Sequence, residues 1–70
     1  MNAIEEIGAH IRHARKEHQD TIETVANELG MSVASVVKIE NGKPVKLNTL
    51  EQYAERYGFT IRIQLIDDRR

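Results

Sequence analysis

Apolar residues recur at intervals of three and four along most of the chain, which is the spacing of one face of an α-helix. A first helix is predicted over residues 3–18, and Gly8 within it indicates that another helix approaches closely there. Three shorter helices follow from the same spacing. The apolar positions are Ile4, Ile7, Ile11 and Ala14 in the first helix, Ile22, Val25, Ala26 and Leu29 in the second, Val36 and Ile39 in the third, and Leu50, Tyr53, Ala54 and Tyr57 in the fourth. The predicted fold is therefore mainly α.

Short polar residues and glycines mark the ends of the second and third helices. Thr21 and Ser32 are placed to cap them through their hydroxyl oxygens, and Gly30 lies in the turn between them. Asn41-Gly42 is predicted to end the third helix, because both residue types tolerate a left-handed backbone. Residues 21–40 thus have the pattern of a helix-turn-helix motif, whose second helix enters the major groove of DNA.

The fourth helix has its own boundary residues. Asn48-Thr49-Leu50-Glu51 has the spacing of a capping box, in which a short polar side chain caps the helix and a glutamate follows three residues later. Gly58 is predicted to end the helix, and Phe59 suits the hydrophobic contact that accompanies a Schellman-type stop.

The last apolar segment has a different period. Residues 60–66 alternate between apolar and polar side chains and are rich in β-branched residues, which predicts a β-strand. Because the chain offers no second strand, its backbone groups need a partner from another molecule. We therefore expect a two-stranded antiparallel ribbon across a homodimer, with Ile61, Ile63 and Leu65 covering the helices and with Arg62 and Gln64 facing water.

Length and composition restrict the class of protein. The 70 residues are enough for one domain, over residues 1–70, with a modest core. There is no cysteine, which is compatible with a cytoplasmic location. No apolar run is long enough for a membrane span or a secretory signal, and we expect neither. The net charge of −1 is unusual for a nucleic-acid-binding protein, but residues 31–50 carry three lysines and only one acid.

The motif A-x-x-x-G-x-S-x-x-x-V-x-x-I-E-N-G-K, which runs from Ala26 to Lys43, resembles the Cro/repressor (XRE-type) helix-turn-helix family. The resemblance extends upstream and downstream and implies a four-helix repressor-like domain. The predicted C-terminal strand is most similar to that of small antitoxin and autoregulator members, in which such a strand closes the dimer. The resemblance further implies a salt bridge between Arg15 and Glu40 that ties the first helix to the third.

The family resemblance also implies which residues contact double-stranded DNA. The positions that face the groove match Ser32, Val33, Ala34, Ser35, Val37 and Lys38, and of these Lys38 can donate to guanine. The positions that hold the phosphate backbone match Thr21, Asn41, Lys43 and Lys46. Three residues depart from the family pattern. Val33 and Ala34 replace polar side chains, although apolar groups can still contact thymine methyls, and Ile22 replaces a glutamine.

The sequence contains few signs of metal binding or catalysis. His10, His13 and His18 lie on or next to the first helix, but the H-x-x-H spacing lacks a third strong ligand, so solvated histidines are expected rather than a metal site. No nucleophile has a base at motif spacing, and no glycine-rich loop is present to hold a phosphate. We therefore expect neither an enzyme nor a cofactor.

These inferences favour a homodimeric, sequence-specific transcriptional regulator, a repressor or autoregulator that binds a palindromic operator. A narrower hypothesis is the antitoxin of a toxin–antitoxin pair, with a toxin as second partner. The alternative is a protein–protein interaction module that keeps the repressor-like fold without reading DNA. The net charge of −1, the apolar Val33 and Ala34, and the missing glutamine at Ile22 motivate this alternative.

Overall fold

A computed structural model describes residues 2–69 of the chain and contains four α-helices in that range. They are α1 (Ala3–Glu17), α2 (Ile22–Leu29), α3 (Val33–Glu40) and α4 (Leu47–Arg56). The first helix matches the predicted range to within one residue, since His18 is its C-cap. The longest helix has 15 residues, and within residues 2–69 no helix combines the length and apolarity that a bilayer crossing requires.

Side-chain caps fix the starts of the first three helices. The Asn2 side chain accepts a hydrogen bond from the Glu5 amide at 2.9 Å. Thr21 and Ser32 do the same for α2 and α3, as predicted. These bonds satisfy first-turn N–H groups that have no partner within the helix.

The predicted capping box of the fourth helix is wrong. Helix α4 starts at Leu47, its N-cap is Lys46, and no side chain caps it. The Leu50 amide donates to the Lys46 carbonyl at 3.1 Å, so Asn48 already lies inside the first turn. A side chain at that position cannot reach the amides that an N-cap residue would reach.

All four helices end in the same way. An amide just after each helix donates to the carbonyl five residues earlier, as the Met31 amide does to Ala26 at 2.9 Å and the Phe59 amide to Ala54 at 3.0 Å. Each stop uses one left-handed residue: Gln19 (φ 58°), Gly30 (φ 67°), Gly42 (φ 72°) and Gly58 (φ 81°). In the predicted Asn41-Gly42 stop, the left-handed residue is Gly42 alone, because Asn41 has φ −92°.

The four apolar stripes meet in one core. Helix α3 packs against both α1 and α2, and α4 adds its buried face. The buried members of the cluster are Ile11, Val25, Ala26, Val36, Ile39, Leu50, Tyr53 and Ala54. Gly8 marks the closest approach, since a Cβ there would lie 2.3 Å from the Ile39 carbonyl oxygen. The predicted close helix contact at Gly8 is therefore present, and it fixes α1 against the end of α3.

The segment after α4 has no regular secondary structure up to residue 69. Ile61 is half-buried and packs against the core, whereas Ile63 and Leu65, which are predicted to cover the helices within a dimer, are exposed in the single chain. Their side chains are 70% and 99% exposed. An extended segment without a neighbouring strand has no ladder of hydrogen bonds to hold it, so the strand over residues 60–66 stays a prediction for an assembly of two chains.

Candidate nucleic-acid interface

Helix α3 has one buried and one exposed side. Val36 and Ile39 are fully buried in the core. On the opposite side Val33 is 45% exposed and Val37 is 36% exposed. Of the remaining residues predicted to read bases, Ser32, Ala34 and Lys38 are also exposed, and Ser35 is half-buried. The exposed side of α3, with its N-terminal cap, therefore forms a continuous surface that we call the docking face.

The two helices of the motif begin with the same pair of hydroxyl groups. The Ser32 hydroxyl accepts from the Ser35 amide at 3.1 Å and donates to the Ser35 hydroxyl at 3.0 Å. The Thr21 hydroxyl accepts from the Thr24 amide at 3.0 Å and donates to the Thr24 hydroxyl at 2.9 Å. Both helix starts are thus held rigidly, and the remaining N–H groups of their first turns can bind phosphate.

The residues predicted to hold phosphates are all exposed: Thr21, Asn41, Lys43 and Lys46. Asn41 is the C-cap of α3, and the Lys43 amide donates to the Lys38 carbonyl at 2.9 Å. The Lys43 backbone is therefore held against the end of α3, and Lys46 lies in the same short segment that follows the helix.

The charges around the motif are distributed unequally. Within residues 2–69, no carboxylate forms an ion pair with Lys38, Lys43 or Lys46, whereas Arg15, Arg56 and Arg69 all have carboxylate partners. A lysine without an internal partner keeps its full attraction for an external anion such as a phosphate. The lysines of the motif therefore give an overall acidic chain a locally basic edge.

Arg15 and Glu40 join three helices at the end of α3. The guanidinium holds the carboxylate in a two-point contact, with Nε to Oε2 at 2.6 Å and Nη2 to Oε1 at 3.1 Å. Arg15 also donates to the Asp20 carbonyl at 2.9 Å, and the Tyr53 hydroxyl donates to the same Glu40 carboxylate. Since both charged side chains are at most 10% exposed, the network is shielded from water and fixes α3 between α1 and α4.

The protonation state of Glu40 follows from this network. Burial alone would raise the pKa of its carboxyl, but the hydrogen bonds from Arg15 and Tyr53 outweigh burial and hold the pKa below its ordinary value. Burial and the bond to Glu40 raise the pKa of Tyr53. At neutral pH the site therefore contains a carboxylate, a guanidinium and a neutral phenol.

A second network joins the end of α4 to the start of the motif. The Tyr57 hydroxyl donates to the Asp20 carboxylate at 2.7 Å, and Arg56 Nη2 donates to the same oxygen at 3.3 Å. Arg56 also pairs with Glu28 of α2. The hydrogen bond from Tyr57 is the main reason that the pKa of Asp20 lies below its ordinary value. This network fixes the turn that leads into Thr21.

Tyr53 and Tyr57 both have a polar role that their places in the apolar stripe of the fourth helix did not predict. A tyrosine, rather than a phenylalanine or leucine, at a buried helix position was the available signal, because a buried phenol needs a hydrogen-bond partner. Ile22 packs as its place in the predicted apolar stripe of α2 indicated. It is half-buried against the core, so the residue that replaces glutamine contributes to packing.

Two of the three histidines, His13 and His18, have partners within the chain. His13 Nε2 lies 2.6 Å from Glu17 Oε1, and His18 Nδ1 lies 2.8 Å from the Ala14 carbonyl. The His18 ring also packs against that of Tyr57 in a tilted arrangement, with ring centroids 5.1 Å apart. Across residues 2–69, no three metal-ligating side chains come together. The geometry thus gives these residues local contacts on α1 and at its end.

Comparison with known proteins agrees with the motif. The family model of the HTH_3 helix-turn-helix family matches residues 11–64, which is most of the chain and includes all four helices in whole or in part. No curated protein matches the chain significantly. The matched range includes α2, the glycine turn and α3, together with every residue predicted to contact DNA. The chain therefore belongs to the helix-turn-helix family, and this membership indicates a DNA-binding transcription regulator.

Proposed function

We propose that the protein is a homodimeric, sequence-specific transcriptional regulator that represses by occupying a palindromic operator. The observation that carries the proposal is the exposed side of α3, where Lys38 forms no ion pair with any of residues 2–69 and where Val33 and Val37 are exposed. A helix supported in this way can enter a major groove with its first turns against the base edges. Thr21, Asn41, Lys43 and Lys46 would then grip the phosphates on either side.

The dimer is proposed to form through residues 60–66. Ile61 anchors the segment on the core, while Ile63, Leu65 and Ile66 are 70%, 99% and 70% exposed. Pairing of two such segments would supply the missing backbone hydrogen bonds and bury these side chains. The two α3 helices would then enter successive major grooves about 34–36 Å apart.

The finer features of the proposal concern chemistry, location and a second partner. The protein acts without catalysis or cofactor, since binding to promoter DNA is sufficient for repression. Its DNA target and its lack of cysteine support a cytoplasmic location. Autoregulation and an antitoxin role rest on the resemblance to small family members with a dimerising strand. A toxin would then be the second protein partner.

A second candidate function is protein–protein interaction without DNA binding. It is favoured by the exposed Val33 and Val37 on α3 and by the net charge of −1. A partner protein would cover these valines as part of an apolar interface core. The two functions differ in their response to salt, because only DNA binding releases counterions from phosphates.

Two lysine variants test DNA binding. Lys38→Ala is expected to reduce discrimination against the wrong base by about 1–3 kcal/mol, because it removes a donor to guanine. Lys43→Ala should weaken binding to all sequences alike and lower the slope of log K against log salt by about one for each subunit. Fluorescence anisotropy with specific and random duplexes at several salt concentrations measures both effects. Each variant is the control for the other. The assigned roles would be contradicted if both variants changed base discrimination and salt dependence to the same extent.

A pair of variants in the C-terminal segment tests the dimer. Leu65→Asp is expected to raise the dimer dissociation constant at least tenfold, since burial of a leucine contributes about 1.5–3 kcal/mol. The fold should be unaffected, because Leu65 makes almost no contact within its own chain. Gln64→Asp, on the opposite side of the predicted strand, is the matched control. Sedimentation velocity measures the oligomeric state, and dimers that persist in the Leu65 variant would show that the interface lies elsewhere.

A further inference from the structure

The docking face is unusual in its chemistry. Between Val33 and Lys38, the exposed side chains are those of Val33, Ala34, Val37 and Lys38. No carboxylate or carboxamide lies on this part of α3, and the carboxylate that follows, Glu40, is turned inward to Arg15. The centre of the face therefore presents methyl groups to whatever occupies it.

The polar groups on the face are few and partly committed. The hydroxyls of Ser32 and Ser35 are hydrogen-bonded to each other, and the Ser32 oxygen also caps the helix. Lys38 is the one residue of α3 that carries an exposed positive charge. A base edge opposite this face can thus form a charged hydrogen bond with Lys38 or accept one from the Ser35 hydroxyl, and it meets methyl groups at Val33, Ala34 and Val37.

Only one standard base offers an apolar group in the major groove. Thymine presents its C5-methyl, whereas adenine and cytosine present amino donors and guanine presents two acceptors. An amino group buried against a valine would lose its bond to water without gaining another, which is unfavourable. A valine on this face therefore discriminates in favour of thymine by both contact and exclusion.

We infer that the operator is recognised chiefly through thymine methyl groups packed against Val33, Ala34 and Val37, next to a guanine bound by Lys38. The inference rests on the proposed function and specifies the kind of half-site that it requires. Val33 and Val37 are one helical turn apart, or about 6 Å along the axis. Because successive bases are about 3.4 Å apart along each strand, the thymines that these valines contact should be about two steps apart.

The test replaces thymine by deoxyuridine, which removes the C5-methyl and leaves base pairing intact. The bound sequence is first obtained from a random duplex pool, and each thymine of the half-site is then replaced in turn. At two or more of these positions, the affinity of the intact protein should fall about three- to fivefold, the factor expected for one buried methyl-sized group. Deoxyuridine in the flanking sequence is the control and should have no effect.

Protein variants assign the methyl contacts to α3. Val33→Ala and Val37→Ala shorten side chains that are partly exposed, so circular dichroism should show an intact fold. In each variant, replacing one particular thymine by deoxyuridine should no longer reduce the affinity, because the side chain that contacts its methyl is gone. Replacement of the other thymines should still reduce the affinity. Such position-specific loss of coupling would identify which valine meets which methyl.

The remaining outcomes separate this inference from the proposed function. Sequence-specific binding that deoxyuridine does not weaken would overturn methyl recognition and leave the regulator intact. The inference would also be overturned if both valine variants were as sensitive to deoxyuridine at every position as the natural chain, because another part of the protein would then contact the methyls. Failure to bind any duplex at low salt would overturn both the inference and the proposed function.

Discussion

Replacing Gly8 with alanine is expected to lower the free energy of unfolding by about 3 kcal/mol. Helix propensity alone predicts the opposite sign, since alanine is more favourable than glycine within a helix by about 1 kcal/mol. Packing outweighs propensity here because the added Cβ would lie 2.3 Å from the Ile39 carbonyl oxygen, a backbone atom at the end of α3. For a domain of this size, such a loss is a large part of a total stability of about 4–10 kcal/mol.

Chemical denaturation followed by circular dichroism measures the effect of this substitution. The control is Ala9→Gly, the reverse exchange at the neighbouring and exposed position of α1, which should cost only about 1 kcal/mol through helix propensity. If Gly8→Ala left the protein equally stable, or more stable, α1 could not lie as close to the end of α3 as the structure places it.

Removal of one member of the Arg15–Glu40 pair is expected to cost about 3–5 kcal/mol, because the other charge is left buried without its main partner; Arg12, whose Nε lies 3.9 Å from Glu40 Oε1, is half-exposed and compensates little. The cost falls on the end of α3, where the pair and Tyr53 hold three helices together. Glu40→Leu and Arg15→Met should each be severe, whereas the double variant should recover much of the loss because no unpaired charge remains. Denaturation of the four proteins forms a double-mutant cycle. Single losses that simply add in the double variant would show that the two side chains are not coupled.

The same pair makes the free energy of unfolding depend on pH. The pKa of Glu40 is lower in the folded chain than its ordinary value, so its contribution is present above the ordinary pKa of about 4.3 and is lost as the pH falls through the lower, folded value. Asp20, whose pKa is lowered chiefly by the hydrogen bond from Tyr57, adds a loss of the same sign. The Arg15→Met, Glu40→Leu double variant should therefore lose less stability between pH 5 and the acid limit than the natural chain, a difference that thermal unfolding at several pH values measures.

Most of the helical fold could be predicted from the sequence because local patterns determine it. Apolar periodicity located all four helices, and hydroxyl caps such as Thr21 and Ser32 located two of their starts. Gly8 indicated a close helix contact without naming its partner, because the identity of the partner depends on packing. The start of α4 was misplaced for a related reason. Asn48 has the residue type of a cap, but the chain enters the helix before reaching it.

The polar networks and the C-terminal segment depend on more than local pattern. The hydrogen bond from Tyr53 to Glu40 joins α4 to α3, and helical periodicity does not show which residues of two helices meet. The segment over residues 60–66 alternates like a strand, yet a strand exists only with a neighbour to pair with. For this reason Ile63 and Leu65 are exposed in a single chain, and their predicted role requires a second one.

The residues of the candidate interface could be selected from the sequence because exposure on α3 follows from its periodicity. Once Val36 and Ile39 are assigned to the core, helical geometry turns Val33, Val37 and Lys38 outward. The geometry of the caps was less accessible. The hydrogen bond from the Ser32 hydroxyl to that of Ser35 leaves fewer hydrogen-bonding groups free on the docking face. The apolar residues of the face therefore contribute more to the choice of base.

Selection of bound fragments from a pool of random duplex DNA tests the central claim most directly, namely that α3 reads DNA as one half of a symmetric pair. The account predicts an enriched palindrome whose half-sites are separated by about 10–10.5 base pairs, one turn of the double helix, with enrichment that Lys38→Ala relaxes. A pool that shows no enriched sequence at low salt, or an enriched sequence that Lys38→Ala leaves unchanged, would contradict it.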